Sequence, residues 1–139
     1  MKLDHIGVAV RSLEQSLKFY RDQLGLRVAG TEEIPAEKVR VAMLPLGEGR
    51  LELLEPTAED SPIARFIQKR GEGIHHIALE VEHLDRHLRQ LEAGGVRVLP
   101  GKSEYGASGH RYAFLHPASC GGVLVELVEA AQPVRRETR

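Results

Sequence analysis

Tryptophan is absent, cysteine occurs once, and the aromatic rings amount to three Tyr and three Phe in 139 residues. A solitary Cys120 excludes an internal disulfide and a cysteine-rich zinc site, and leaves an ordinary small side chain as its expected role. So few aromatic rings argue against a cage for a flat drug or a nucleobase. Charge of one sign is missing too: 19 basic side chains face 20 acidic ones, for a net charge of -1. Nucleic acid and anionic membranes are therefore poor partners. No apolar run approaches the roughly 20 residues of a membrane span. The opening Lys2-Leu3-Asp4-His5-Ile6 shows no basic-then-apolar leader, so a cytoplasmic protein is expected. What the chain does have is histidine, seven in all.

Hydrophobic residues at 42% and charged residues at 28% match a globular domain. Within it lies an internal repeat. Asp4-His5-Ile6-Gly7-Val8-Ala9-Val10 and His75-His76-Ile77-Ala78-Leu79-Glu80-Val81 share the pattern His-Ile-small-apolar-x-Val, and each precedes a helical stretch. Alternation puts Ile6, Val8 and Val10 on one face and His5, Gly7 and Ala9 on the other. Ile77, Leu79 and Val81 repeat this, with His76 beside Ala78. In both copies the histidine shares its face with small residues, which leaves room for a ligand above a sheet.

Ser12 and Gln15 form a capping box before the helical spacing of Leu13, Leu17, Tyr20 and Leu24, which Gly25 ends. Leu84, Leu88 and Leu91 mark the second helix, with Gly94-Gly95 as its stop. Strands are expected over 26–33, 39–45 and 50–55, then over 96–99, 112–115 and 123–128. Gly106, Ser108 and Gly109 read as a loop. Ser61-Pro62 reads as an N-cap with proline at the first helical position, opening a linker helix that Gly71 and Gly73 end. The expected fold class is α+β: two tandem βαβββ modules forming a curved mixed sheet in one domain, 1–129. Module one is 1–57, the linker helix 58–72, module two 73–129, and 130–139 a flexible tail.

The last strands of the two halves also correspond, Leu51-Glu52-Leu53-Leu54-Glu55 matching Val125-Glu126-Leu127-Val128-Glu129. A glutamate inside an apolar run is costly unless it meets water, a partner or a cation. Strand parity turns Glu52 and Glu126 inward and leaves Glu55 and Glu129 solvated on the opposite face. Bringing first and last strands together would converge two imidazoles and two carboxylates, His5, His76, Glu52 and Glu126. Such a nitrogen and oxygen set suits divalent Zn, Co, Mn, Ni or Fe. Core histidines bonded to backbone are the bland alternative, and the duplication weighs against it. His75 falls on the opposite face as a structural or supporting residue. His116, in a turn before Pro117, can pack or touch substrate.

At these residues the chain resembles the vicinal oxygen chelate superfamily and, within it, the methylmalonyl-CoA epimerase family. The likeness runs from about Leu3 to Glu129 and includes Ser61-Pro62-Ile63-Ala64, Phe114-Leu115-His116-Pro117 and Gly121-Gly122-Val123-Leu124-Val125-Glu126-Leu127. It implies His5, Glu52, His76 and Glu126 as ligands of a divalent metal, an acyl-CoA substrate and a homodimer. The implied reaction moves the proton at C2 of methylmalonyl-CoA through a metal-stabilised enolate. Inversion asks for two acid/base groups on opposite sides of the carbon. Glu126 is one, and Glu37 is the nearest carboxylate to the stretch where some family members carry the other. Arg111 is expected to hold the substrate's nucleotide end.

Three alternatives use the same architecture. A glyoxalase I-like lyase or isomerase acts on a thiol adduct with the same ligands. An extradiol dioxygenase needs two histidines, one glutamate and usually a longer chain. A bleomycin-resistance-type module binds without metal chemistry and usually through a more aromatic groove.

Overall fold

The computed structural model describes residues 1–99 and 110–130. The first half runs β1 (Lys2–Ala9), α1 (Leu13–Leu17), β2 (Gly30–Ile34), β3 (Val39–Leu46) and β4 (Gly49–Pro56). After α2 (Pro62–Arg70), the second half runs β5 (Gly73–Val81), α3 (Leu84–Ala93), β6 (Tyr112–Leu115) and β7 (Val125–Glu129). The strands form one mixed sheet of order β2-β3-β4-β1-β5-β7-β6. In each half the first strand lies parallel to the last, and β1 meets β5 antiparallel at the centre. This is the expected α+β duplication.

Helices cover the outer face because their apolar stripes match strand parity. Leu13 and Leu17 of α1 pack on Val8, Val10 and Leu53, while Leu84 and Leu88 of α3 pack on Val81, Ala113 and Leu127. The inner face of the first half is closed by Ile63 and Ile67 of α2 against Ala9, Val39, Val41 and Leu54. Burying each isoleucine contributes about 2 kcal/mol, so α2 is anchored by one turn. Its N-terminus is fixed by Ser61, fully buried, whose hydroxyl accepts the Ile63 amide at 3.1 Å. Gly71, with φ of 77°, ends the helix in a conformation that favours glycine.

The sheet curls. Tyr112 on edge strand β6 donates its hydroxyl to Glu37 Oε1 at 2.6 Å, and Glu37 lies in the turn between β2 and β3 at the other edge. The two edges therefore meet above the inner face.

Three sequence expectations need correction. The stretch 96–99 is reduced to a single bridge, Val98 to Leu115, because the Arg97 amide bonds Ser119 Oγ instead of continuing a ladder. The strand expected over 26–33 begins only at Gly30; Leu26 and Val28 pack on the outer core instead. After Leu17 the helix widens into a π-helical turn, Lys18–Gln23, in which the Leu24 amide bonds Phe19 O. That turn rotates the stripe and leaves Leu24 55% exposed. The loop at Gly106, Ser108 and Gly109 and the tail 131–139 lie outside the described residues. Among the described residues, no helix is long and apolar enough to cross a membrane.

Candidate functional site

The duplication becomes geometry at the central strand pair. His5 stands opposite Ala78, and His76 stands opposite Gly7. Gly7 in turn pairs with Glu52, and Ala78 with Glu126. Each half thus places its glutamate beside the small residue two positions after its histidine, all on the inner face. The four side chains are buried, with exposures of 4% for His5, 4% for Glu52, 5% for His76 and 8% for Glu126.

Two β-bulges orient the imidazoles. The β1–β5 ladder skips Asp4 just before His5, and skips His75 just before His76. Each skipped residue bonds Nδ1 of the histidine that follows. Asp4 Oδ2 lies 2.7 Å from His5 Nδ1, and His75 Nδ1 lies 2.9 Å from His76 Nδ1. Both Nε2 atoms are left to face the interior. The bulge also corrects the expectation that His75 lies on the opposite face: the extra residue breaks the alternation, and His75 packs edge-on against Phe66 on the inner side.

The Nε2 atoms of His5 and His76 are 3.0 Å apart, and Glu126 Oε1 lies 3.4 Å from the first and 3.1 Å from the second. Burial opposes charge on His5, but bonds to Asp4 and Glu126 and the nearby Glu52 outweigh it and raise its pKa to about 9. Burial likewise opposes charge on Glu126, and the two imidazoles overcome it, lowering its pKa to about 2. For Asp4, bonds to His5 and the field of Arg50 prevail over burial and hold the carboxyl below its usual range. Burial, with the charges of His76 and Arg70, lowers His75 to about 4, so it stays neutral.

The donor set fits a divalent ion. Two ligands each about 2.1 Å from a metal stand roughly 3.0 Å apart at a right angle and about 3.4 Å apart at the tetrahedral angle. The observed separations fall at these values, and an anionic carboxylate beside two imidazoles satisfies a borderline cation. Among the described residues, His5, His76 and Glu126 are the three whose ligand atoms lie mutually within 4.8 Å. Glu52, the fourth expected ligand, does not join them. Its Oε2 accepts Arg50 Nε at 2.8 Å and Nη2 at 2.7 Å, and faces His5 Nδ1 at 3.4 Å. Arg50 precedes it by two residues on the same face and compensates its charge locally.

Glu126 and His76 line a cavity of about 400 Å³ whose walls include Val39, Val41, Leu54, Leu124 and Phe114, with Glu37 and Tyr112 at its rim. Such a volume suits a small-molecule site. The sequence reading missed Asp4, Arg50 and Tyr112. Arg50 was legible from its two-residue spacing to Glu52, whereas the bulge at Asp4 and the Tyr112 contact had no local signature. Arg111, expected at the substrate, instead pairs with Asp85 of α3 at 2.8 Å and approaches Glu129 at 3.7 Å. Glu129 shares the parity of Leu127, so this arginine serves the helix-covered face. His116 caps the turn Pro117–Ser119 by accepting the Ala118 amide at 3.0 Å, and is not among the residues lining the cavity.

Glu55 and Glu129, expected to be solvated, accept the first helical amides of α1 and α3, from Leu13 at 2.6 Å and Leu84 at 3.2 Å. Their opposite parity was legible, but their role at the helix starts was not.

Comparison with known proteins gives a consistent picture. The model of the Glyoxalase/Bleomycin resistance protein/Dioxygenase superfamily matches residues 4–114. The mitochondrial methylmalonyl-CoA epimerase of Mus musculus is 42% identical over 130 residues, 93% of this chain and 73% of its own length. The ethylmalonyl-CoA/methylmalonyl-CoA epimerase of Cereibacter sphaeroides is 41% identical over 128 residues, 91% of this chain and 96% of that one. A point variant of the Streptomyces coelicolor methylmalonyl-CoA epimerase, solved in complex with 2-nitronate-propionyl-CoA, superposes with a TM-score of 0.89 at 42% identity, covering 94% of this chain and 95% of that one.

Proposed function

The chain belongs to the methylmalonyl-CoA epimerase family of the glyoxalase superfamily, an enzyme family, and on that premise we propose that it epimerises methylmalonyl-CoA at C2 in a metal-dependent reaction. The observation that carries this reading is the convergence of His5, His76 and Glu126 at one end of an apolar cavity that also holds a second carboxylate, Glu37.

We assign the metal to His5 Nε2, His76 Nε2 and Glu126; Zn, Co, Mn, Ni and Fe all suit this donor set. Glu52 is the available fourth donor, provided Arg50 releases one of its contacts. A divalent cation held there supplies the positive charge that a developing enolate oxygen requires. The residues of the chain do the rest. Asp4 and His75 hold the two rings at Nδ1 and keep Nε2 directed inward. Val39, Val41, Leu54 and Leu124 exclude water from the acyl group, which strengthens every charge interaction inside.

Inversion needs a proton removed from one side of C2 and returned on the other. We place Glu126 on the sheet side and Glu37 on the rim side. Tyr112 donates to Glu37 Oε1 and fixes that carboxylate above the cavity. A general acid/base positioned this way contributes roughly 10²- to 10⁴-fold in rate. The homodimer and the cytoplasmic location expected from the sequence belong to the same proposal.

The test incubates metal-loaded and chelator-treated protein with one epimer of methylmalonyl-CoA in deuterium oxide, following epimerisation and exchange at C2. Metal-dependent exchange accompanying epimerisation establishes the activity. Folded, metal-loaded protein that exchanges nothing would overturn it and favour the glyoxalase-like alternative on a thiol adduct.

A further inference from the structure

Arg50 joins the fourth candidate donor to the carboxylate that orients a ligating ring, and proton transfer by Glu126 and Glu37 does not require it. It is paired in register with His5 across β1 and β4, and it lies two residues before Glu52 on the same strand face. Its guanidinium makes three contacts with two carboxylates. Nε and Nη2 donate to Glu52 Oε2 at 2.8 and 2.7 Å, and Nη2 also reaches Asp4 Oδ2 at 3.2 Å. Asp4 Oδ2 in turn lies 2.7 Å from His5 Nδ1.

Charge decides what this arrangement does. Asp4, Glu52 and Glu126 share with Arg50 and His5 the wall of a polar cavity of only about 30 Å³. Three carboxylates so close together, largely sheltered from solvent, repel one another strongly. A divalent ion and one guanidinium cancel them when both imidazoles are neutral. Without the guanidinium the loaded site would carry an excess negative charge. Such an excess binds the cation more tightly and makes it a weaker electrophile, since Glu52 would then donate its full charge to it. The contacts favour this role over plain support of the fold. Both bonds to Glu52 end on Oε2 and neither on Oε1, and a contact that only stabilised β4 would end at Glu52, whereas this one extends across to Asp4 on β1.

We propose that Arg50 is a positioning residue that shares Glu52 with the metal and so keeps the bound cation electrophilic while weakening its binding. The inference rests on the metal-dependent reading above. Its consequence is the opposite of ordinary support. Removing a residue that merely oriented Glu52 would weaken metal binding, whereas removing Arg50 strengthens it.

The test uses Co²⁺ with the native protein, Arg50→Met, Arg50→Lys, Glu52→Gln and the Arg50→Met/Glu52→Gln double variant, each checked for fold by circular dichroism. Competition against a chelator gives Co²⁺ affinity, and kinetics give kcat of the loaded enzyme for methylmalonyl-CoA. Arg50→Met should bind Co²⁺ about tenfold more tightly and lose about tenfold in kcat, the scale on which outer partners of a metal site act. Arg50→Lys, which keeps the charge, should recover most of that kcat. Glu52→Gln removes a negative charge and leaves Arg50, so it should bind about tenfold more weakly. The double variant keeps the native total charge and should return to about the native affinity. If Arg50→Met alone fails to fold, the double variant still decides, because it leaves no carboxylate at position 52 without its partner. Weaker binding by Arg50→Met, a double variant as weak as Glu52→Gln, or tighter binding with undiminished kcat would each overturn the inference. The expected affinities in a protein that epimerises nothing would keep the sharing of Glu52 and remove the proposed reaction.

Discussion

The ring of His76 lies over Gly7, so close that a β-carbon built on Gly7 would stand 2.2 Å from His76 Cε1 and 2.6 Å from Nδ1. Glycine is required here by the ring's position, with no positive φ involved. Gly7→Ala should displace the imidazole, leave the fold intact, and lower metal affinity and kcat/KM together by about 100-fold, the effect of roughly 1 Å of misplacement. Metal analysis and steady-state kinetics on the same preparation check this. Full metal occupancy at unchanged affinity would show that the ring can move without consequence.

Asp4 acts on His5 through a bond that a metal would not replace. Asp4→Ala should weaken metal binding about 10- to 100-fold, as loss of a carboxylate partner to a ligating histidine does. The His5 pKa should fall with it. Competition against a chelator of known affinity and an NMR titration of the His5 ring in metal-free protein measure the two effects.

Glu37→Gln should reduce kcat by about 10²- to 10⁴-fold while metal stays bound, and Tyr112→Phe should act in the same direction but less severely. The informative readout is isotopic. With one catalytic face impaired, proton exchange at C2 should become unequal for the two epimers. Equal exchange and normal kcat in Glu37→Gln would remove this carboxylate from the chemistry.

In metal-free protein the stability should have a maximum near the ordinary histidine pKa of 6.5. His5 is raised to about 9, so the stability it contributes is fully present below 6.5 and is lost as pH rises through about 9. His75 is lowered to about 4, so the unfolded chain binds its proton more readily and stability falls as pH drops from 6.5 toward about 4. Urea midpoints across this range test the maximum; a steady rise up to about pH 9 would contradict it. Because metal must displace the His5 proton, metal affinity should also rise about tenfold per pH unit in the neutral range.

The two outer glutamates make a structural prediction independent of the reaction. Glu55→Ala and Glu129→Ala each remove the acceptor from a first helical amide and should cost about 1 to 2 kcal/mol in denaturant unfolding. A loss under about 0.3 kcal/mol in both would show that water serves those amides equally well.

Much of the fold was legible because its signals are periodic and repeated. Alternation around His5 and His76, the matched runs at Glu52 and Glu126, and the Ser61-Pro62 helix start are local, and local backbone physics obeys them. The reading failed where one residue was inserted into a period. Bulges at Asp4 and His75 and the π-helical turn after Leu17 each change the phase, and a two- or 3.6-residue pattern cannot announce the change.

The duplication, the inward parity of two histidines and two glutamates, and the helices that cover the outer face are all written in local sequence. Which of those groups converge depends on the folded chain. It brought His5, His76 and Glu126 together, tied Glu52 to Arg50, sent Arg111 to α3, and joined Tyr112 to Glu37 across 75 residues of chain. Parity gives the face on which a side chain lies. Curl, bulges and competing partners across strands set its final distance and charge, and those depend on residues far apart in sequence.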